Sequence, residues 1–575
     1  MNRKYYITIL ILLVTTSIAL SQINKQVNVV KEYTPVISDA YRIGTLPKIK
    51  DTTKISKHIF SYNIESQPFN VNFKLKPIKS AKMVGEPLKK LYTTNIRLGF
   101  GNYLTPYFEL NYNSLRSKDQ LIAINLKHIS SYGKIKMADE QKVYAGFSNS
   151  QVKLYGKKIL KHQKIVSGSM LVKNLIYGYY GYDDKDTSIL LSDKKLKKEE
   201  IETQNLKILG VSAKIKSINR SKSQLNYDLN FKNTFLQETS KIYSNNLDLY
   251  GNINNYYKKE IIGVDYEINY INTNLKTDTI NNTIIRIKPY LNKTTDTWRI
   301  IAGLNFNADV NPPADPDFHF YPMVDIKYNV FDEALIPYLG VFGTVENNNY
   351  QKIIFENPYI TNDLNVKNTD NVLSLYLGVK GKLSSNFSYN FKTTYKVYED
   401  MYFYINHFET QPDSANPVIT TFTNKFDVVY DNISLIDLYG ELNWEKSKKL
   451  SFLLFGHYYE YSMGNLAQAW HKPQYNITFS TKYNIQNKIV AGIDVFAIGK
   501  QYAVKSVEYK SVTQKVYNAK ELDGFIDLNL SFEYRYTKIL STFLKFNNIL
   551  SQKYYKYNYY PTQGFNVLVG LSYSL

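Results

Sequence analysis

The chain contains no cysteine, which excludes disulfides, thiolate metal sites and a sulfur-linked lipid anchor. Beyond its first twenty or so residues it has no apolar run approaching the roughly 18 to 20 uncharged residues that a membrane helix requires. No H-E-x-x-H, G-x-S-x-G, P-loop or EF-hand spacing occurs, so the local signatures of metalloprotease, serine hydrolase, nucleotide hydrolase and calcium-site chemistry are missing. The seven histidines (His58, His128, His162, His319, His407, His457 and His471) include no two at ligand spacing. The expectation is a non-enzymatic chain with no cofactor and no metal site.

What is present is aromatic. Tyr contributes 53 residues and Phe 29, a composition suited to strands and to membrane interfaces. Asn2, Arg3 and Lys4, an apolar stretch from Tyr5 to Leu20 and the small-residue site Ala19-Leu20-Ser21 read as a secretory signal over residues 1–21. Residues 22–90 hold Pro and Lys with little alternation and read as a periplasmic N-terminal segment, a possible reduced plug. An exported chain without helical spans crosses a membrane as a closed barrel, because closure pairs every backbone N–H and C=O internally.

From residue 91 to 575 the pattern is repetitive. Segments of about 10 to 15 residues alternate apolar and polar between turns rich in Asn, Asp, Ser, Lys and Gly, as in membrane barrels. At the C-terminus Phe565, Val567, Val569, Leu571, Tyr573 and Leu575 share one face, and Asn566, Gly570, Ser572 and Ser574 the other. Phe108, Leu110 and Tyr112 repeat the pattern, as do Ile122, Ile124 and Leu126, and Ile526, Leu528, Leu530 and Phe532. About 22 strands fit the alternation, one of them at 140–155 and one long strand at 421–445 crossing Asn432. Connections then alternate between tight turns, such as Ser384 to Asn386 and Gln486 to Lys488, and long loops at 179–203, 348–371, 410–420, 463–473, 501–523 and 550–563. The fold class is thus all-β, a transmembrane antiparallel β-barrel with both chain ends on the short-turn side.

The formal charge is +21. In an exported barrel with scattered Lys and Arg this does not indicate nucleic acid; it places basic groups in turns, rims and a polar lumen, with outer-membrane lipid and lipopolysaccharide phosphates as natural partners.

Asn547-Asn548, Lys553-Tyr554, Tyr560-Pro561 and Gly564, leading into the final strand, resemble the C-terminal hairpin of TonB-dependent receptors. VVKEYTPVISDAYRI, KHISSYGKI, FHFYPMVDIKYNVF and ENPYI are similar to Bacteroidota outer-membrane barrels of the TonB-dependent receptor-like group. The resemblance implies a 22-stranded barrel in the outer membrane with a transport or receptor role, ligand unknown, and a TonB or other periplasmic or outer-membrane partner. It also implies a plug of well over a hundred residues, for which the stretch between Ser21 and the first strand is too short. A short box, Val27-Asn28-Val29-Val30, resembles the segment that pairs with TonB by strand addition. The alternative functions are a barrel that scaffolds an outer-membrane complex without transporting and a lipid hydrolase using His128 and Ser130.

Two constellations remain. His128 and Ser130 fall two apart on the face of Ile122, Ile124 and Leu126 and so point toward lipid near the loop end; the His-x-Ser pattern resembles that of outer-membrane phospholipases and lipid A deacylases, in which Ser attacks and His is the base. No orienting residue for the His stands at a convincing spacing. Asp315, Asp317 and His319 in NPPADPDFHF invite a cation site, against which three prolines favour a rigid loop.

Overall fold

The computed structural model describes residues 91–575 except 116, 118, 138, 162–163, 183–197, 219–223, 277, 412–418 and 510–514. The expected signal sequence, the segment 22–90 and its Val27–Val30 box lie outside the described residues. Among those described, twenty-two strands form one sheet. Each pairs antiparallel with its neighbours in chain order, and the first, Thr94–Gly101, pairs with the last, Asn566–Ser574. The ring closes with Thr94 N–H donating to the Leu575 carbonyl at 3.0 Å and Leu575 N–H to the Thr94 carbonyl at 2.8 Å. Closure leaves no edge in lipid. Gly570 makes the seam possible, because a Cβ there would stand 2.2 Å from the Leu98 carbonyl oxygen and 2.3 Å from the Phe543 ring.

Alternation decides what each face meets. On the last strand Val569, Leu571 and Tyr573 face outward and Leu568, Gly570 and Ser572 face in, as the sequence pattern requires. Register across five adjacent strands then marks the limits of the apolar belt. Leu126 aligns with Val152, Val172, Leu209 and Phe235. One row nearer the loops, the outward side chains turn polar: His128, Ser150, Asn174, Lys207 and Gln237. Toward the turns the apolar rows end where Gln120 meets Lys158. Eight residues at about 3.4 Å, tilted by roughly 40°, rise about 20 Å, near the ~25 Å lipid-facing band of outer-membrane barrels.

Connections alternate as expected. One end has tight turns, Ser384 to Phe387 and Ile485 to Ile489 among them; the other carries the long loops. The strand at 421–445 is indeed single, Ile419–Lys446, and continues unbroken through Asn432. The strand at 140–155 is a correction. The chain first makes a small loop hairpin, Lys134–Lys136 with Lys142–Tyr144, and the barrel strand runs Phe147–Leu160. Gly146 between them breaks an alternation that reads as continuous in sequence.

Candidate functional site

Strands Phe387–Gln411 and Ile419–Lys446, 25 and 28 residues long, far exceed the roughly 9 to 11 residues that cross a bilayer. Their barrel neighbours stop early: Thr369–Ser384 pairs only as far as Glu399, and Leu450–Met463 only as far as Ile433. Beyond that level residues 401–411 and 419–431 continue as a two-stranded ribbon. It bends where the register slips between Tyr398 and Met401 and Asp400 adopts φ 51°, a bulge geometry that short polar side chains tolerate.

The ribbon is the middle layer of a cap. One face, with Tyr402, Tyr404 and Phe426, packs on helix Tyr350–Glu356 and on Tyr557, Tyr559 and Tyr560 of the last loop. The opposite face, with Phe403 and Ile405, packs on Trp470 and on Val504 and Val507 of the hairpin Gln501–Tyr509/Lys515–Leu522. Phe403, Phe426 and Trp470 are fully buried. The long loops at 348–371, 463–473, 501–523 and 550–563 thus converge into two apolar clusters, one on each face of the ribbon, instead of lying open to water.

Local sequence explains the helix. The Asn349 side chain accepts from Lys352 N–H at 2.8 Å, an N-cap, and Pro358 holds Asn357 in an extended conformation that ends it. Gln351 anchors it to the barrel wall by donating to the Thr234 and Ser244 carbonyls at 3.0 and 2.9 Å. Glu356 accepts from Tyr402 at 2.5 Å and from Lys472 at 3.0 Å, and Tyr557 donates to the Glu356 carbonyl at 2.5 Å. Burial works to raise the Glu356 carboxyl pKa, but the Lys472 charge and the tyrosine hydroxyls outweigh it and hold the group below the usual carboxylate range.

His471 ties three segments together. Its Nδ1–H donates to the Tyr404 carbonyl at 2.8 Å, its Nε2 accepts from Asn558 N–H at 3.2 Å, and its own N–H donates to the Tyr502 carbonyl at 2.9 Å. That pattern requires the neutral ring. Burial, reinforced by Lys472 and only partly opposed by the Tyr404 bond, pulls its pKa down to about 4. Asp431 supports the adjoining loop, accepting from the backbone N–H groups of Gly464, Asn465 and Leu466 at 2.8 to 3.1 Å.

Beneath the helix the inward wall is polar and charged in both signs. A cavity of about 530 Å³ is lined by Lys232, Asp248, Arg286, Glu346 and Lys352, with Phe355 of the helix facing it. A neighbouring space of about 680 Å³ continues along Lys214, Asp228, Asn230 and Asp265. Arg286 is held rigid by Glu267 at 3.0 Å, Asn269 at 2.6 Å and the Val345 carbonyl at 2.6 and 3.0 Å. Such a wall wets a lumen; it is not a membrane-facing surface.

His128 and Ser130 do meet, on the outward face at the loop end of the apolar belt. His128 Nε2 lies 3.1 Å from Ser130 Oγ, and Nδ1 lies 2.7 Å from Ser150 Oγ, the orienting partner absent from the sequence reading. Ser130, however, has no exposed surface, so an ester carbonyl has no approach to its hydroxyl. In the other constellation His319 bridges Asp317 at 3.3 Å and Asp370 at 3.1 Å on the inner wall. Asp315 takes no part in these pairings, and no metal-holding group of three such side chains occurs among the described residues.

Sequence reasoning passed over the cap. Its signal was strand length, since a strand more than twice the bilayer's requirement must leave the barrel, and the run YKYNYYP in the last loop, too aromatic for a solvated surface.

No family model matches the sequence, and no curated protein does. Solved structures match the fold. The FrpB iron transporter of Neisseria meningitidis (F3-3 variant) superposes with TM-score 0.64 at 9% identity, over 85% of this chain and 82% of its own. The ferric-catecholate import receptor Fiu of E. coli K12, closed form, gives 0.59 at 9% over 85% and 82%. The siderophore receptor PirA of Acinetobacter baumannii gives 0.60 at 12% over 85% and 81%. The chain has the closed 22-stranded barrel fold of these outer-membrane receptors.

Proposed function

We propose that this chain is an outer-membrane receptor of the TonB-dependent type that admits a polar ligand through a gated mouth. The loop end faces outside, lipid and lipopolysaccharide surround the belt, and residues 22–90 serve as a reduced plug and TonB-facing arm. The chain catalyses no reaction and binds no nucleic acid. The observation that carries this reading is the layout of the lumen: a wide wall of paired charges and amides under a cap whose core is packed like a protein interior. A permanently open pore has no use for such a cap. A pure scaffold has no use for the wetted wall, and the large apolar clusters of the cap are spent on internal packing instead of being displayed for docking.

The test is single-channel conductance in a planar bilayer, comparing the full chain, a chain lacking residues 22–90, and that truncated chain carrying Phe426→Ala and Trp470→Ala to loosen the cap. The full chain should be silent and the doubly relieved chain should conduct in large steps. A doubly relieved barrel that folds and stays silent contradicts the transport reading.

A further inference from the structure

The cavity beneath helix Tyr350–Glu356 is lined by four cations and three carboxylates, and their pairing is incomplete. Arg286 is fully engaged by Glu267, Asn269 and the Val345 carbonyl. Lys232 stands 3.8 Å from Asp248 and Lys352 stands 3.7 Å from Glu346, both at the limit of an ion pair. Lys288, half-buried and two residues along the strand from Arg286, is in no ion pair; Glu267 and Asp265 act on it only across space. An ammonium held partly out of water without a partner favours an anion beside it.

Two further features share this cavity. Phe355 is 48% exposed and faces it from the helix, an apolar ring in a lining that is otherwise polar or, like Val345, buried. Asn246, Asn347 and Thr234 bring amide and hydroxyl groups to the same space, the partners that peptide bonds take. Signs decide among ligand classes. A compact complex with several negative charges would meet Asp248, Glu267 and Glu346 and be repelled. A neutral sugar would leave Lys288 unmet. A molecule with one carboxylate, one ammonium, amides and an apolar side chain answers every feature.

We infer that the ligand this chain admits is a short peptide with free termini, bound between the helix and the barrel wall. Its carboxylate lies on Lys288, its ammonium on Glu346, its amides on Asn246 and Asn347, and an apolar side chain on Phe355. The inference rests on the transport reading above and names the substrate class of that lumen. The volume of about 530 Å³ is that of a pocket enclosing one small ligand. The adjoining space of about 680 Å³ shares Lys232, Asp248, Glu267 and Lys288, so a longer peptide extends into it. The helix also joins ligand to cap, since Lys352 and Phe355 line the cavity while Glu356 holds Tyr402 and Lys472.

The experiment is equilibrium dialysis of the detergent-solubilised full chain against labelled Ala-Phe-Ala at pH 7.5, run to completion so that the rate of cap opening does not enter. The probes are the free tripeptide, its C-terminal amide and maltotriose. Loss of a charged hydrogen bond lowers affinity on the order of tenfold, so amidation should weaken binding by that factor. Lys288→Gln, shown to be folded by its heat-dependent gel mobility, should weaken the free peptide equally and make amidation indifferent. Free and amidated peptide binding alike to the unaltered chain, maltotriose binding as tightly as the free peptide, or no peptide binding at all overturns the inference, whether or not the variant folds. An equal loss on amidation in both proteins overturns the assignment to Lys288. A barrel that conducts in the bilayer test yet ignores the peptide refutes this inference and leaves the transport reading standing; one that neither conducts nor binds refutes both.

Discussion

Acidification should loosen the cap, and His471 sets the range. Closed, the imidazole has a pKa of about 4; freed into water it returns to about 6.5. A base whose pKa is depressed in the closed form favours closure fully above the open-state value and withdraws that support as pH falls toward the closed-state value. Cap stability is therefore constant above about pH 6.5 and declines between there and pH 4. At pH 5 the two values lower the closed-to-open ratio about thirtyfold, or about 2 kcal/mol, rising to roughly 3 kcal/mol below pH 4. The structural cause is that a protonated Nε2 faces the Asn558 N–H, donor against donor, with the Lys472 ammonium next in sequence. Because the chain has no cysteine, spin labels go cleanly onto Asn365→Cys and Ala519→Cys, on two different loops of the cap. Pulsed electron spin resonance should show one narrow distance at pH 7.5 that broadens and lengthens by pH 5. In a His471→Gln background, which keeps a donor and an acceptor but does not titrate, the distance should be unchanged over the same range. Glu356, held below the ordinary carboxylate range, gives way only at lower pH. Identical acid broadening in the glutamine variant, or none in the parent down to pH 4, refutes the reasoning.

Other outcomes follow from the same geometry. Phe426→Ala removes a fully buried ring and should cost the cap about 3 to 5 kcal/mol, read as faster proteolysis of the ribbon while the barrel's heat-dependent gel mobility stays intact; loss of both together would mean the cap is not a separate unit. Asp431→Ala leaves the amides of Gly464, Asn465 and Leu466 without their carboxylate, so their hydrogen exchange should accelerate by on the order of tenfold to a hundredfold; unchanged protection would count against that anchoring. Gly570→Val drives side-chain atoms into the Leu98 carbonyl and the Phe543 ring and should lower the melting point of the closed barrel, whereas the same change at Gly156, where a Cβ meets nothing within 4 Å, should be tolerated.

The barrel was legible because its signal is local and repeated. Period-two alternation in Phe565 to Leu575 survives any tertiary context, and an antiparallel meander needs no long-range pairing beyond the seam. The alternation of short and long connections holds at Asn432 too, where one strand runs on from Ile419 to Lys446. The strand start near Phe147 was missed because Lys142-Val143-Tyr144 alternates as well as any barrel segment, and only tertiary packing of Ile135 and Val143 with Tyr182 and Ile201 assigns it to a loop. The cap was illegible for a related reason. Tyr404, Phe426, Trp470 and Tyr557 come from distant parts of the chain, and nothing near any one of them announces the others. His128 and Ser130 were located correctly, but the burial that bars Ser130 from ester chemistry depends on its surroundings in the folded chain.

A closed cap over a wetted lumen is tested most directly by one accessibility measurement. Single cysteines are placed at Asn365, on the cap surface, and at Asn230, on the lumen wall, and intact cells are treated with a membrane-impermeant maleimide. Asn365→Cys should label quickly and Asn230→Cys only after Phe426→Ala has loosened the cap. Labelling of Asn230→Cys as fast as Asn365→Cys with the cap unaltered, or no labelling of Asn365→Cys at all, would contradict it.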